Sequence, residues 1–147
     1  MRRWIKAALI VVVMLLVAIQ VVRPARTNPP TDTRRTIQAQ LGPGIASAAI
    51  DRSCRDCHSN ETTWPWYSHV APVSWFIAHD VNEGREALNF SDWTSYPQDR
   101  QAKLLAQACD EVTEGDMPGL PYTLIHRGSG LTPAEIAAIC ALSAKTR

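Results

Sequence analysis

From Trp4 to Val22 the chain reads WIKAALIVVVMLLVAIQVV, interrupted only by Lys6 and Gln20. At the helical rise this stretch covers about 28 Å, close to the ~30 Å hydrocarbon core of a bilayer, and it predicts a transmembrane helix. A core helix of a small soluble domain would keep a polar face, and none exists here. A cleaved signal sequence would want a shorter apolar region ending in a small-x-small site. Ala18 has Leu16 two residues before it and Ala25 has Arg23, so an uncleaved signal-anchor is expected. Arg2, Arg3 and Lys6 gather at its start, which keeps the N-terminus in the cytoplasm and exports the rest.

The pattern then changes twice. Residues 24–36, following the anchor of residues 1–23, are polar, proline-rich and without period, and read as a linker. From Ile37 to Arg147 the apolar positions recur at helical spacing. Pro43 and Gly44 precede a short helix with Ile45, Ala49 and Ile50 on one stripe. Pro72 suits the first turn of a helix running to about Leu88, with Gly84 a weak point inside it. Leu104, Leu105, Ala108 and Val112 mark a third helix from Pro97 to about Thr113. Thr132, Pro133 and Glu135 supply the cap, first-turn proline and capping-box acid of a last helix ending near Ala144. Gly115 to Pro121 is dense in turn formers and reads as a loop. No convincing strand run appears, so the expected fold is all-α: a small helical domain at residues 37–147 behind one transmembrane helix.

Charge narrows the function classes. The net charge of +1 includes Arg2, Arg3, Lys6 and Arg23 around the apolar stretch, and beyond Arg23 acids outnumber bases. A mildly acidic domain with no Lys/Arg-rich run offers nucleic acid nothing to hold.

The chemistry lies in Cys54-Arg-Asp-Cys57-His58, a Cys-x-x-Cys-His signature of covalent haem attachment. Two thiols three residues apart on a helical turn point the same way, so each adds to one vinyl group, and His58 is brought to the iron as proximal ligand. A thioredoxin-type pair needs a βαβ context, a zinc site needs a second Cys/His pair nearby, and a plain disulfide has no use for His58. The cofactor expected is one haem c. Its attachment outside the cytoplasmic membrane agrees with the topology read from the anchor.

Met117, in the loop before the last helix, is the favoured sixth ligand, a soft thioether that stabilises ferrous haem and raises the potential. A core methionine filling a gap is the plainer reading. His79, one turn from Trp75 and Glu83, is the alternative ligand; His69, His126 and an open site remain as further options. Trp64, Trp66, Tyr67, Trp75 and Trp93 are a heavy aromatic load, suited to walling a flat apolar disc. Trp64, Trp66 and Trp75 are candidate pocket residues, and Arg85 and Arg127 candidate propionate partners. Cys109 and Cys140 fall on the apolar faces of the third and last helices, where an oxidising compartment favours a disulfide over two separate buried thiols.

The stretch CRDCHSNETTWPWYSHVAPVSWFIAHDVNEGREALNFSDW, followed by EGDMPGLPYTLIHRGSGLTPAEI, resembles a family of small bacterial haem-binding domains. Cys-x-x-Cys-His-Ser-Asn, Trp-Pro-Trp-Tyr-Ser, Val-Ala-Pro-Val-Ser-Trp, Glu-Gly-Arg, Asn-Phe-Ser and Met-Pro recur in order. The resemblance implies a c-type cytochrome domain and says little about its redox partner. The function expected is a single-pass, membrane-anchored monohaem electron carrier facing the periplasm, with respiratory-chain proteins as partners. A haem peroxidase using His79 as acid/base, a gas sensor, and a haem subunit of a larger respiratory complex are the competing classes.

Overall fold

The apolar stretch forms helix α1 (Arg2–Ala18), which tightens into a 3-10 turn over Ile19–Val21. In the computed structural model, which describes residues 2–145, α1 is long and apolar enough to cross a membrane, and none of it is buried against the protein. Seven more α-helices follow, with no strand among the described residues, so the fold is all-α. They are α2 (Ile37–Leu41), α3 (Ile45–Ser53), α4 (Arg55–His58), α5 (Val73–Ala87), α6 (Gln98–Glu114), α7 (Leu120–Ile125) and α8 (Pro133–Lys145). The limits of α5 and α6 fall within one residue of those read from periodicity. The short α2 and α7 were not expected, because five or six residues are too few to establish a helical period.

The core joins residues from α2, α3, α6 and α8, namely Ile37, Ala49, Ile50, Leu104, Leu105, Val112 and Ile139, with Leu88, Phe90 and Trp93 from the connection between α5 and α6. Trp93 is 2% exposed and lies between Phe90 and Tyr96, its Nε1–H donating to Gln40 Oε1 at 2.6 Å. The indole satisfies its one donor and contributes the rest as apolar surface. Within this core α6 packs along α8, and the sulfurs of Cys109 and Cys140 are joined in a disulfide between the two. At the start of α8, Glu135 Oε2 accepts from the N–H and hydroxyl of Thr132, while Glu135 Oε1 takes Arg52 Nη1 at 2.7 Å. The capping box therefore also ties α8 to α3.

Residues 22–28 have no regular structure, yet they are not a free tether. Trp75 Nε1–H donates to the Val22 carbonyl (2.8 Å), Arg85 Nη1 to the Thr27 carbonyl (2.8 Å), and Arg26 Nη1 to the Ser68 carbonyl (3.0 Å). Asn28 Nδ2 reaches the Thr62 carbonyl at 2.9 Å, and Asn28 Oδ1 accepts from Trp64 Nε1 and Arg85 Nη2. Irregular backbone leaves its carbonyls without ladder partners, and side chains of the domain supply the donors.

Two outcomes are expected from these contacts. Replacing Cys109 and Cys140 together by Ser should lower stability by about 3–4 kcal/mol, the loop-closure value for a span of this length, read as a fall in the urea midpoint. The Arg52 hydrogen bond holds the Glu135 carboxyl down at about 2 against an ordinary 4.5, with Thr132 adding to it. A group depressed in the folded state stabilises above its unfolded value and loses that contribution as pH falls through the folded one. The gap in thermal midpoint between wild type and Glu135→Gln should thus be full above pH 4.5 and close towards pH 2.

Candidate functional site

Helix α3 ends at Ser53, and Cys54 breaks from helical geometry (φ −123°, ψ −27°) before the single turn of α4 closes through His58 N–H to Cys54 O at 2.9 Å. This turn brings Cys54, Cys57 and His58 to the edge of one cavity of about 550 Å³. Leu88, Phe90, Leu104, Ala108 and Val112 give it an apolar lining, and Met117, Pro118 and Tyr122 border it from the segment after α6. The volume is within the roughly 300–1,000 Å³ typical of sites for cofactor-sized ligands.

His58 is fixed through its ring. Its Nδ1 lies 2.8 Å from the Gly84 carbonyl and 3.1 Å from the Leu88 carbonyl. A carbonyl only accepts, so Nδ1 carries the proton and Nε2 keeps the lone pair, the tautomer a metal ligand needs. Phe90 meets the imidazole edge-on at 6.2 Å. The approach of α4 to α5 depends on Gly84: a Cβ there would lie 2.6 Å from the Cys57 carbonyl oxygen and 3.2 Å from Cys57 Cβ. The residue that looked like a weak point in a helix is where two helices touch.

Burial pushes the Cys54 thiol up to about 12, with the charge of Cys57 adding to it, and pushes Cys57 up to about 11, with Asp56 and Asp80 adding to it. Both are held as neutral thiols. Reactive dithiol pairs have depressed thiol values, so this environment is unlike theirs.

The second x of the motif also has a part. Asp56 Oδ1 accepts from the Thr63 N–H at 2.9 Å and Oδ2 from the Tyr122 hydroxyl at 2.9 Å, which binds α7 to the attachment turn. Burial raises the Tyr122 phenol, and the Asp56 charge and hydrogen bond raise it further. Tyr122 stacks on His126 at 4.0 Å; His126 Nδ1–H donates to the Tyr122 carbonyl, leaving Nε2 to accept the Tyr67 hydroxyl at 2.9 Å. After the motif, Asn60 N–H donates to Ser91 Oγ, and Asn89 Nδ2 to Asn60 Oδ1, tying the turn to the connection after α5.

Met117 is positioned from the other side. Gly115 caps α6 in the left-handed region (φ 86°), and the Glu111 carbonyl accepts from the N–H groups of Gly115, Asp116 and Met117. The Met117 backbone is thus fastened to the end of α6, and its side chain is 43% exposed at the cavity border. His79 is elsewhere: it is exposed, paired with Glu83 at 3.2 Å, and does not line the cavity. It projects from α5, the helix whose Gly84 carbonyl accepts from His58 Nδ1. His69 is exposed and His126 serves the tyrosine network.

Other candidates also have different partners. Trp64 and Trp75 hold residues 22–28, Trp66 is 79% exposed, and none of the three lines the cavity. Arg85 does not line it either: its Nε donates to the Ser59 carbonyl (2.7 Å), and its Nη groups to Thr27, Asn28 and Thr62. Arg127 is exposed. Spacing says that a residue is aromatic or cationic, not which side of α5 it faces. Sequence reasoning gave no role to Asp56, Phe90 or Tyr122; the signals on offer were the Asn-Phe-Ser motif that contains Phe90 and the turn-rich segment beside Met117 that leads into Tyr122.

The residues fit a covalently held haem. A thiol pair, a histidine in the ligating tautomer, a thioether and an apolar lining border one cavity, and Cys54, Cys57, His58 and Met117 are the residues that would hold it. Gly84→Ala should force α4 from α5. Covalent haem per chain, measured by haem stain on a denaturing gel, is expected to fall several-fold, whereas Gly44→Ala, with nothing within 4 Å of its Cβ position, should leave the yield unchanged.

No curated protein and no solved structure matches the chain. The family model described as "Haem-binding domain" matches residues 14–145, from the middle of α1 through residues 22–28 to the last helix. This chain belongs to the haem-binding domain family.

Proposed function

We propose that this protein is a membrane-anchored monohaem c-type cytochrome that carries single electrons outside the cytoplasmic membrane. In this reading α1 is an uncleaved single-pass anchor (residues 1–23), residues 24–36 the linker and residues 37–147 the cytochrome domain, exposed to the periplasm. The observation that carries the reading is the fixed His58 tautomer beside two neutral thiols and Met117 on one apolar cavity. Haem, when bound, supplies an iron that alternates between ferric and ferrous states at a potential set by its axial ligands and surroundings. Cys54 and Cys57 are the residues that would hold the macrocycle, through thioether bonds. His58 presents Nε2 while Gly84 and Leu88 keep its ring from turning. Met117 offers a sulfur that favours the ferrous state, and Leu88, Phe90, Leu104 and Val112 give the group an apolar surrounding.

The enzyme reading asked for a distal acid/base, and His79 does not line the cavity; it is exposed and paired with Glu83, which stands on the cavity border. The donor and acceptor are redox proteins of a respiratory chain. The full-length chain, expressed with c-type haem maturation and purified in detergent, should show covalent haem, a low-spin spectrum in both redox states and a far-red ferric thioether band. Met117→Ala should abolish that band and lower the potential. A high-spin ferric spectrum in the wild type that responds to peroxide or carbon monoxide would favour the peroxidase or sensor instead, and absence of covalent haem would refute the cytochrome.

A further inference from the structure

Between Glu61 and Asp80 the chain has no Asp, Glu, Lys or Arg, and this uncharged stretch folds around the end of α1. Gln20 exchanges two hydrogen bonds with Ala71: Nε2 donates to the carbonyl at 3.0 Å, and Oε1 accepts the N–H at 2.9 Å. Two residues on, the Val22 carbonyl is held by Trp75, and Arg26 by the Ser68 carbonyl. The domain is therefore fastened where the apolar helix stops.

Around this junction stand Trp66 (79% exposed), Phe76 (66%), Val70 (44%) and Val73 (43%). Trp66 belongs to the 3-10 turn Trp66–His69, which packs on α5, and Val73 and Phe76 share one face of the first turns of α5. Four large apolar side chains on so short a stretch are unlike the scattered single ones of an ordinary surface. The nearest charges along the chain from α1 are Arg23 and Arg26, both cationic.

We propose that Trp66, Val70, Val73 and Phe76 form a membrane-contact face that enters the headgroup–acyl boundary of the bilayer crossed by α1. The proposal rests on the reading of α1 as a membrane-spanning helix. Continuity with that helix selects the occupant: lipid begins where α1 ends, and Gln20 and Trp75 hold the apolar face beside it. The chemistry agrees. An indole with its aromatic body in the acyl boundary and its polar edge in the headgroups is the usual interfacial anchor, and Arg23 and Arg26 complement anionic phospholipid. The contact adds to the hydrogen bonds that fasten the domain at the end of α1, so that the domain lies on the membrane at a fixed attitude.

The test uses the full-length chain in vesicles of phosphatidylcholine and phosphatidylglycerol, with the photo-crosslinker p-benzoylphenylalanine placed at position 66 or 76. Irradiation should give adducts of phospholipid mass at both positions, and Val70→Asp with Val73→Asp should cut their yield several-fold. Adducts to protein in place of lipid would assign the face to a partner chain and overturn the proposal. No lipid adduct in a chain that resists alkaline carbonate extraction would overturn it with the anchor intact. Release by carbonate would instead remove the spanning helix, and the membrane face with it.

Discussion

The contact between α4 and α5 at Gly84 governs the arrangement of everything else around the cavity. A hydrogen at that position, in place of a methyl group, lets the Cys57 backbone rest on α5 and brings the Gly84 carbonyl within 2.8 Å of His58 Nδ1. One atom-sized concession in a helix thereby sets the spacing of two helices, the tautomer of the imidazole and the direction of the ring. The helix-propensity cost of a glycine there is about 1 kcal/mol. The hydrogen bond that fixes the His58 ring depends on the geometry that this cost permits.

Helix α5 acts as the spine between the end of α1 and the cavity. At its start Trp75 holds Val22, two turns on Asp80 borders the cavity, and near its end Gly84 and Leu88 orient His58. Arg85, beside Gly84, spends its guanidinium on four acceptors from residues 27–62, which locks residues 22–28 to the turn that follows His58. Neighbouring residues of one helix thus serve opposite faces: Gly84 the attachment turn, Arg85 the segment leading from α1. A displacement of that segment has a direct path to the position of His58.

Much of this was legible in the sequence, and what was not shares a cause. The Cys-x-x-Cys-His turn, the long helices α5, α6 and α8 and the apolar span are local patterns, and local patterns survive without knowledge of partners. Trp64, Trp75 and Arg85 do not line the cavity because each donates to the backbone or amide of a remote segment, and such acceptors leave no mark on the residue type of the donor. Asp56 escaped notice for a related reason: in a motif where the intervening residues are free to vary, nothing announces that one carboxylate has Tyr122 as a partner, 66 residues away. Gly84 was visible but read in the wrong frame, as a fault in one helix when it is the contact between two.

The two candidate iron ligands are held by different halves of the fold. His58 belongs to α4 and α5; Met117 hangs from the end of α6, which the disulfide fastens to α8. Electron transfer with little rearrangement asks that these halves keep their separation when the charge between them changes. Apolar packing resists compression well but shear poorly, since sliding surfaces exchange one set of contacts for another of similar worth. Directional bonds resist shear. Among the bonds that cross the gap are Tyr122 to Asp56, which ties the helix after Met117 to the attachment turn itself, Tyr67 to His126, which ties the turn packed on α5 to the end of α7, and Arg52 to Glu135, which ties α3 to α8. The first lies inside the cavity wall, where Tyr122 is partly buried and its hydroxyl bond is little diluted by solvent; the last is at the surface. The phenol–carboxylate bond beside the haem motif is therefore a stronger determinant of the ligand-to-ligand geometry than the surface pair, which mainly fixes the start of α8.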